Sequence, residues 1–371
     1  MIGVTMDATG AFPADYASSA ERFRTTAARL GASLARYDNP GTGPAGEPLA
    51  TDTAWFGPRD AERVLLLVAA THGVEGFCGA GAKMDWMTHG GPASLPAGTA
   101  ALLVHAINPY GFAWLRRTTE EGVDLNRNCI RFEDGLPDNP GYRELAAHLV
   151  PPSLDAAALA RADAALADYK ARHGLFAYDV ARSSGQYTHP EGLFYGGTGP
   201  TWSLRTIEAV CRDNRLGERK GVAVIDYHTG LGPFGYGEPI VGHKPGTAGQ
   251  ARCRAWYGSS LGEPLLGTSS SVPIAGLTQY AWERLVGADR LTFIALEFGT
   301  FASDVGTVAL RAEHWLHARG PVDWASEEAR AIKAALRRFY YPGTRDWQEL
   351  VLLRSRQILA QATAGLQTAH P

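Results

Sequence analysis

An unbroken apolar run, Arg63-Val-Leu-Leu-Leu-Val-Ala-Ala, stops abruptly at Thr71-His72-Gly-Val-Glu75-Gly76. Its length and its Val and Leu content fit a strand buried on both faces. In an open α/β sheet the crevice beyond the carboxyl ends of the strands is where ligands bind, so His72 and Glu75 are expected there on a glycine-loosened turn. Imidazole and carboxylate are both zinc ligands, and a catalytic zinc usually takes three protein ligands and a water. Alone the pair is weak: H-x-x-E is frequent, and a single His at a strand end is more often just hydrogen-bonded. The pair therefore asks for a third ligand from another strand end.

Three more apolar runs end the same way. Ala97 to Ile107 stops at Asn108-Pro109-Tyr110-Gly111, Gly221 to Tyr227 stops at His228, and Leu291 to Leu296 stops at Glu297. Burying an imidazole or carboxylate at a strand end is costly unless it is paired or bound to metal. Several such ends on one edge of one sheet read as a site, with His228 the natural third ligand. Around these strands the periodicity predicts a helix over 14–32, an edge hairpin near 33–37 and 50–56, and helices near 77–88, 153–173, 201–214 and 247–262. The stretch 131–220 reads as the least regular part. Three helical stretches near 303–319, 323–339 and 345–364 read as packing elements. The Gly-rich segment 192–200 lacks the Gly-Lys-Ser/Thr of a phosphate loop. With neither repeats nor a linker, the expectation is one domain over 1–371, an insertion at about 131–220, and a three-layer α/β/α sandwich around a mixed, mostly parallel sheet.

Charge argues against two classes of partner. With 35 Lys and Arg against 38 Asp and Glu, the net charge is -3, which does not suit nucleic acid or an anionic membrane surface. The 4 cysteines form no C-x-x-C pair, which fits free thiols in a reducing compartment. No secretory signal and no apolar run of bilayer-spanning length is evident. A cytoplasmic protein of unknown oligomeric state is expected.

Taken together, His72-x-x-Glu75, Asn108-Pro-x-Gly111, Arg116-Arg117-Thr, Gly122-Val-Asp-Leu-Asn126-Arg127-Asn128, His228 and Glu297 resemble, in order and rough spacing, the zinc carboxypeptidase (funnelin) superfamily, and most of all a bacterial branch of it. The heptapeptide is the most specific motif and H-x-x-E the least. The resemblance spans roughly residues 60 to 300. It implies one zinc ion per chain held by His72, Glu75 and His228, and Glu297 as general base. It implies Asn126 and Arg127 as the holders of the substrate's free carboxylate. The arginine that polarises the scissile carbonyl falls on Arg116, or on its neighbour Arg117.

The chemistry of that set is coherent. Zinc brings the pKa of its water to about 7, a carboxylate can move the water's proton to the leaving amine, and a guanidinium fork matches a carboxylate. Two departures bear on substrate. The loop before the base, Ser269-Ser-Ser-Val-Pro-Ile-Ala-Gly276, lacks the tyrosine that family carboxypeptidases carry there; Tyr280 and Tyr257 are near it, and Tyr280 is the candidate for the substrate pocket. The long insertion suggests a lid that excludes long peptides. The leading expectation is a carboxypeptidase-like zinc hydrolase acting on a small peptide. The alternatives are an N-acyl amino acid deacylase, a carboxylate-binding protein on a retired peptidase fold, and a purely structural His/Glu/His set.

Overall fold

The computed structural model describes residues 10–368. Its centre is a 7-stranded sheet in the order β1-β2-β4-β3-β5-β7-β6, with β1 Ser33–Thr42, β2 Pro48–Phe56, β3 Arg63–Ala69, β4 Thr99–His105, β5 Gly221–Phe234, β6 Gly237–Ile240 and β7 Leu291–Gly299. Strands β4, β3, β5 and β7 are mutually parallel. The antiparallel pairings of β1, β2 and β6 leave only β2 and β6 running against the rest. The sheet is thus mixed and mostly parallel, as expected. The short edge strand β6 and the extension of β5 past His228 to Phe234 were not anticipated.

Because the central strands are buried on both faces, alternate side chains enter different cores. Leu65, Leu67, Ile225 and Leu296 pack against Phe23, Phe77, Tyr257 and Trp347, from helices Tyr16–Arg29, Gly76–Thr88, Ala248–Tyr257 and Arg345–Thr368. Val64, Leu66, Val222 and Phe293 pack on the opposite face against Ile207 and Trp282, from helices Trp202–Asp213 and Thr278–Val286. These are the three layers. No described helix is long and apolar enough to cross a membrane.

A third core corrects two expectations. The stretch 131–220 is largely helical, with helices Pro140–Leu149, Ala156–His173, Leu175–Ser183 and Trp202–Asp213. The first three join helices Ser303–His317 and Glu327–Tyr340 in a cluster holding Tyr142, Leu166, Leu310, Leu336 and Phe339. Val74, from the turn after β3, belongs to the same cluster. The two C-terminal helices are therefore part of the covering over the carboxyl edge of the sheet, not merely outer packing.

Two non-glycine residues at that edge take left-handed backbone: Ala70 after β3 (φ 62°) and Ala106 after β4 (φ 61°). Such a residue costs about 1–3 kcal/mol, and here the turn is held by Ile107 N and Asn108 N donating to Ala69 O and Ala70 O at 3.1 Å each. The next turn is fixed from the other side, with Gly73 N donating to Arg117 O at 3.2 Å and Val74 N to Arg116 O at 2.8 Å. Gly73 packs so closely on the backbone of Gly111 and Phe112 that a Cβ would overlap it. Gly73→Ala is expected to destabilise by about 1–3 kcal/mol, read as a lower denaturant midpoint at constant slope; an unchanged midpoint would mean the two turns are not in contact.

Candidate metal centre and substrate cavity

The turn after β3 presents His72, the single turn Gly73–Glu75 presents Glu75, and β5 presents His228. His72 Nδ1 lies 2.9 Å from Glu75 Oε1 and 3.2 Å from His228 Nδ1. His228 Nδ1 lies 3.2 Å from Glu75 Oε2. One ligand atom from each residue falls within 4.8 Å of the others, and all three side chains are buried. Two imidazole nitrogens and a carboxylate converging in a buried site are a suitable donor set for zinc.

The far nitrogens fit that reading. His72 Nε2 lies 3.1 Å from Asp124 Oδ1. His228 Nε2 lies 3.2 Å from Asp226 Oδ2, without the alignment of a hydrogen bond, and has no other hydrogen-bond partner among the described residues. A carboxylate behind each ligating His is the usual supporting arrangement in metal sites. Asp226 is itself fixed by Thr71 Oγ1, which donates to both of its oxygens at 2.9 Å. Burial alone would lower the His228 imidazole, but Asp226 and Glu75 outweigh it and hold it well above the ordinary range. Burial would raise Glu75; the charges and hydrogen bonds of His72 and His228 instead hold it far below the usual carboxylate range.

Glu297 enters from β7, directly paired with His228 in the register of β5 and β7. Its Oε1 accepts from Leu231 N at 3.0 Å, and its other oxygen has no hydrogen bond among the described residues. Burial, then the charge of Glu75, pushes Glu297 up to about 8. The same cavity is lined by Arg117, Asn126, Arg127, Tyr280 and Tyr340. The insertion contributes Asp179, Arg182, Ser183 and Phe194 to its wall, and the C-terminal helices contribute Leu310 and Phe339.

The adjacent arginines part company. Arg117 faces the centre: Nε donates to Asp124 Oδ2 at 2.9 Å, Nη1 to Glu75 Oε1 at 3.0 Å, and Nη2 lies 2.8 Å from His72 Nε2. Arg116 turns the other way and is buried outside the cavity, donating to Glu313 Oε1 at 2.9 Å. Lys333 Nζ reaches the same oxygen at 2.6 Å. The assignment of Arg116 to the substrate carbonyl is therefore not what the geometry offers, because Glu313 holds its guanidinium elsewhere. Asn108 also stays out of the cavity; its Oδ1 caps the short helix Pro109–Ala113 by accepting from Gly111 N at 2.8 Å. Asn126 Oδ1 accepts from Thr278 N at 2.8 Å. Arg127 donates from Nε and Nη2 to Ser183 O at 3.2 and 2.7 Å, and from Nη1 to Asn126 O at 3.1 Å. Each terminal nitrogen carries two protons, so Nη2 keeps one N–H for a ligand, while Nη1 also lies 3.7 Å from Asp124 Oδ1.

Sequence reasoning assigned no role to Asp124, Asp226, Phe194 or Tyr340. Asp226 carried a usable signal, a carboxylate inside an apolar strand two residues before His228 and hence on the same face. Asp124 sits in the most specific motif. Phe194 and Tyr340 come from segments read as lid and packing, and nothing local marks them.

A family model described as "Protein of unknown function (DUF2817)" matches residues 12–354. No curated protein matches the chain. Similar solved structures include carboxypeptidase A from Helicoverpa armigera, at 12% identity and TM-score 0.47 over 94% of this chain and 73% of that one. Thrombin activatable fibrinolysis inhibitor is similar at 11% identity and TM-score 0.48 over 94% and 74%. Succinylglutamate desuccinylase from Chromobacterium violaceum is similar at 15% identity and TM-score 0.35 over 87% and 74%.

Proposed function

The chain belongs to the family described as protein of unknown function DUF2817, and from that premise we propose that it is a zinc-dependent hydrolase cleaving an amide bond adjacent to a free carboxylate. The observation that carries the reading is the convergence of His72, Glu75 and His228 beside Glu297, with Arg117 and Arg127 in the same cavity. A zinc ion held by the three ligands would supply Lewis acidity, polarising the carbonyl and allowing a water to ionise near neutrality. Glu297, with one oxygen free, accepts that water's proton and returns it to the departing amine. Arg117 brings positive charge to the oxygen that gains electron density on attack. Arg127 and Asn126 orient the substrate through its carboxylate, which a guanidinium N–H and an amide can both contact.

The substrate is proposed to be small, since the cover of insertion and C-terminal helices borders the cavity. A short peptide is the first reading. The apolar part of that border, Phe194, Leu310 and Phe339, equally suits the acyl chain of an N-acyl amino acid, which keeps deacylation as the second reading.

The test is hydrolysis by the zinc-loaded protein of a pool of short peptides and N-acyl amino acids, each with its C-terminal amide twin, followed by mass spectrometry. Free acids are expected to be cut and amides spared, and Arg127→Ala is expected to erase that preference, losing about 10- to 100-fold in kcat/KM for free acids, the scale of a charged hydrogen-bonded contact of 1.5–3 kcal/mol. Equal cleavage of acids and amides would remove Arg127 as the anchor. No cleavage of any member would remove the hydrolase reading.

A further inference from the structure

We propose that Tyr340 is a further catalytic residue, its phenolic O–H donating a hydrogen bond to the oxygen of the scissile carbonyl as the carbon becomes tetrahedral. The inference rests on the hydrolase reading above and adds a group to it.

Tyr340 is the last residue of helix Glu327–Tyr340. It is 3% exposed, and what surface it has lines the cavity shared with His72, Glu75, Arg117 and Glu297. Its oxygen accepts from Arg117 Nη1 at 3.3 Å. Its own proton has no acceptor among the described residues. That separates it from Tyr16 and Tyr187, which donate to the carbonyls of Ala50 and Arg127 at 2.9 and 2.6 Å. Tyr142, Tyr227 and Tyr257 also have unpartnered hydroxyls, but none of them lines the cavity. A buried donor without an acceptor is costly, and here the missing acceptor is what a bound carbonyl would bring.

The ring is held in place. It packs on the backbone of Gly230, where a Cβ would lie 3.1 Å from Tyr340 Cε1, so it rests against β5 two residues past His228. Phe339 braces it edge-on at 4.9 Å. Arg117 donating to the phenolic oxygen polarises the O–H bond and strengthens it as a donor. Burial keeps the phenol protonated well beyond neutral pH. The loop Ser269–Gly276 offers no tyrosine, whereas Tyr340 reaches the same cavity from the end of helix Glu327–Tyr340.

The rival is that Tyr340 merely positions Arg117. Tyr340→Phe keeps the ring and removes only the hydroxyl, so zinc content and melting temperature serve as controls. In the zinc-loaded protein kcat is expected to fall about 100-fold, the loss typical for one donor to a developing oxyanion, with KM within about twofold. A phosphonate mimic of the tetrahedral state should lose affinity by a similar factor, while the planar carboxylate product binds as before. A second probe is 3,5-difluorotyrosine at position 340, which preserves shape and acidifies the phenol. It should move the alkaline limb of the kcat profile to lower pH, since a more acidic donor deprotonates earlier. Unchanged kcat in Tyr340→Phe with an active wild type overturns this inference alone. Equal weakening of phosphonate and product, or an unmoved pH profile, does the same by assigning Tyr340 to positioning. A wild type that cuts nothing overturns the hydrolase reading and this inference with it.

Discussion

Glu297→Gln is expected to lower kcat by about 10²–10⁴-fold, the range for removing a general acid–base group, while zinc stoichiometry and substrate affinity stay close to wild type. The amide keeps the size of the carboxylate and its bond from Leu231 N, but it cannot take a proton. Glu297 is not among the three converging ligands, so metal retention and loss of turnover should separate. A carboxylate-binding protein without catalysis would be indifferent to this change, and hydrolysis undiminished in the variant would end the assignment of Glu297 as base. The same substitution has a second readout without metal. Burial and the Glu75 charge raise Glu297 from the usual 4.5 to about 8. A group whose folded pKa is raised contributes stability that is complete below its unfolded value and is lost as pH rises through the folded one. The metal-free wild type should therefore lose stability from this residue between about pH 4.5 and 8. Glu297→Gln should flatten that decline, so that at pH 8 the metal-free variant melts above the metal-free wild type.

The parts of this site that were legible in the sequence are those whose placement follows from strands alone. A short Val- and Leu-rich run such as Val64–Val68 fits a buried strand, which puts a polar residue at its end on the sheet edge; the same logic brought His228 and Glu297 to that edge. Side-chain direction in loops is a different matter. Arg116 and Arg117 are neighbours of identical chemistry, and what separates them is Glu313, almost two hundred residues further along, which holds Arg116 at 2.9 Å. Tyr340 was illegible for the same reason: its helix reads as an ordinary amphipathic packing element, with Ala329, Lys333, Leu336, Phe339 and Tyr340 inward. Only the third core brings that inward face to the cavity. Asn108 shows the converse. It has the sequence position of a site residue, but its carbonyl is taken by the helix it caps, a local bond that competes with any role in the cavity.

Removal of zinc is expected to abolish hydrolysis and to lower the melting temperature, and how both return should depend on protons. A ligand bound only by the native state stabilises it by RT ln(1 + [L]/Kd), about 4 kcal/mol at a thousandfold excess over Kd. Coordination needs the lone pair of His228, and metal binding then displaces any proton held there. Asp226 and Glu75 hold the metal-free imidazole well above its usual pKa, so near pH 7 it is charged. The sign follows: apparent zinc affinity should rise as pH goes from 6 to 8, up to tenfold per pH unit for each proton released. Calorimetry in two buffers of different ionisation enthalpy should count at least one proton released per zinc at pH 7. Asp226→Asn removes the charge that most favours imidazolium, which should lower the proton count and flatten the pH dependence even where it weakens binding. Zinc that neither raises the melting temperature nor releases protons would mean that His72, Glu75 and His228 are held together by their own hydrogen bonds and serve only the fold. That alternative carries a difficulty of its own. His72 Nδ1 and His228 Nδ1 face each other at 3.2 Å and each also lies against one oxygen of Glu75, so a proton on both would set two N–H groups against each other. A divalent cation removes the conflict, because both nitrogens then offer lone pairs to the same centre.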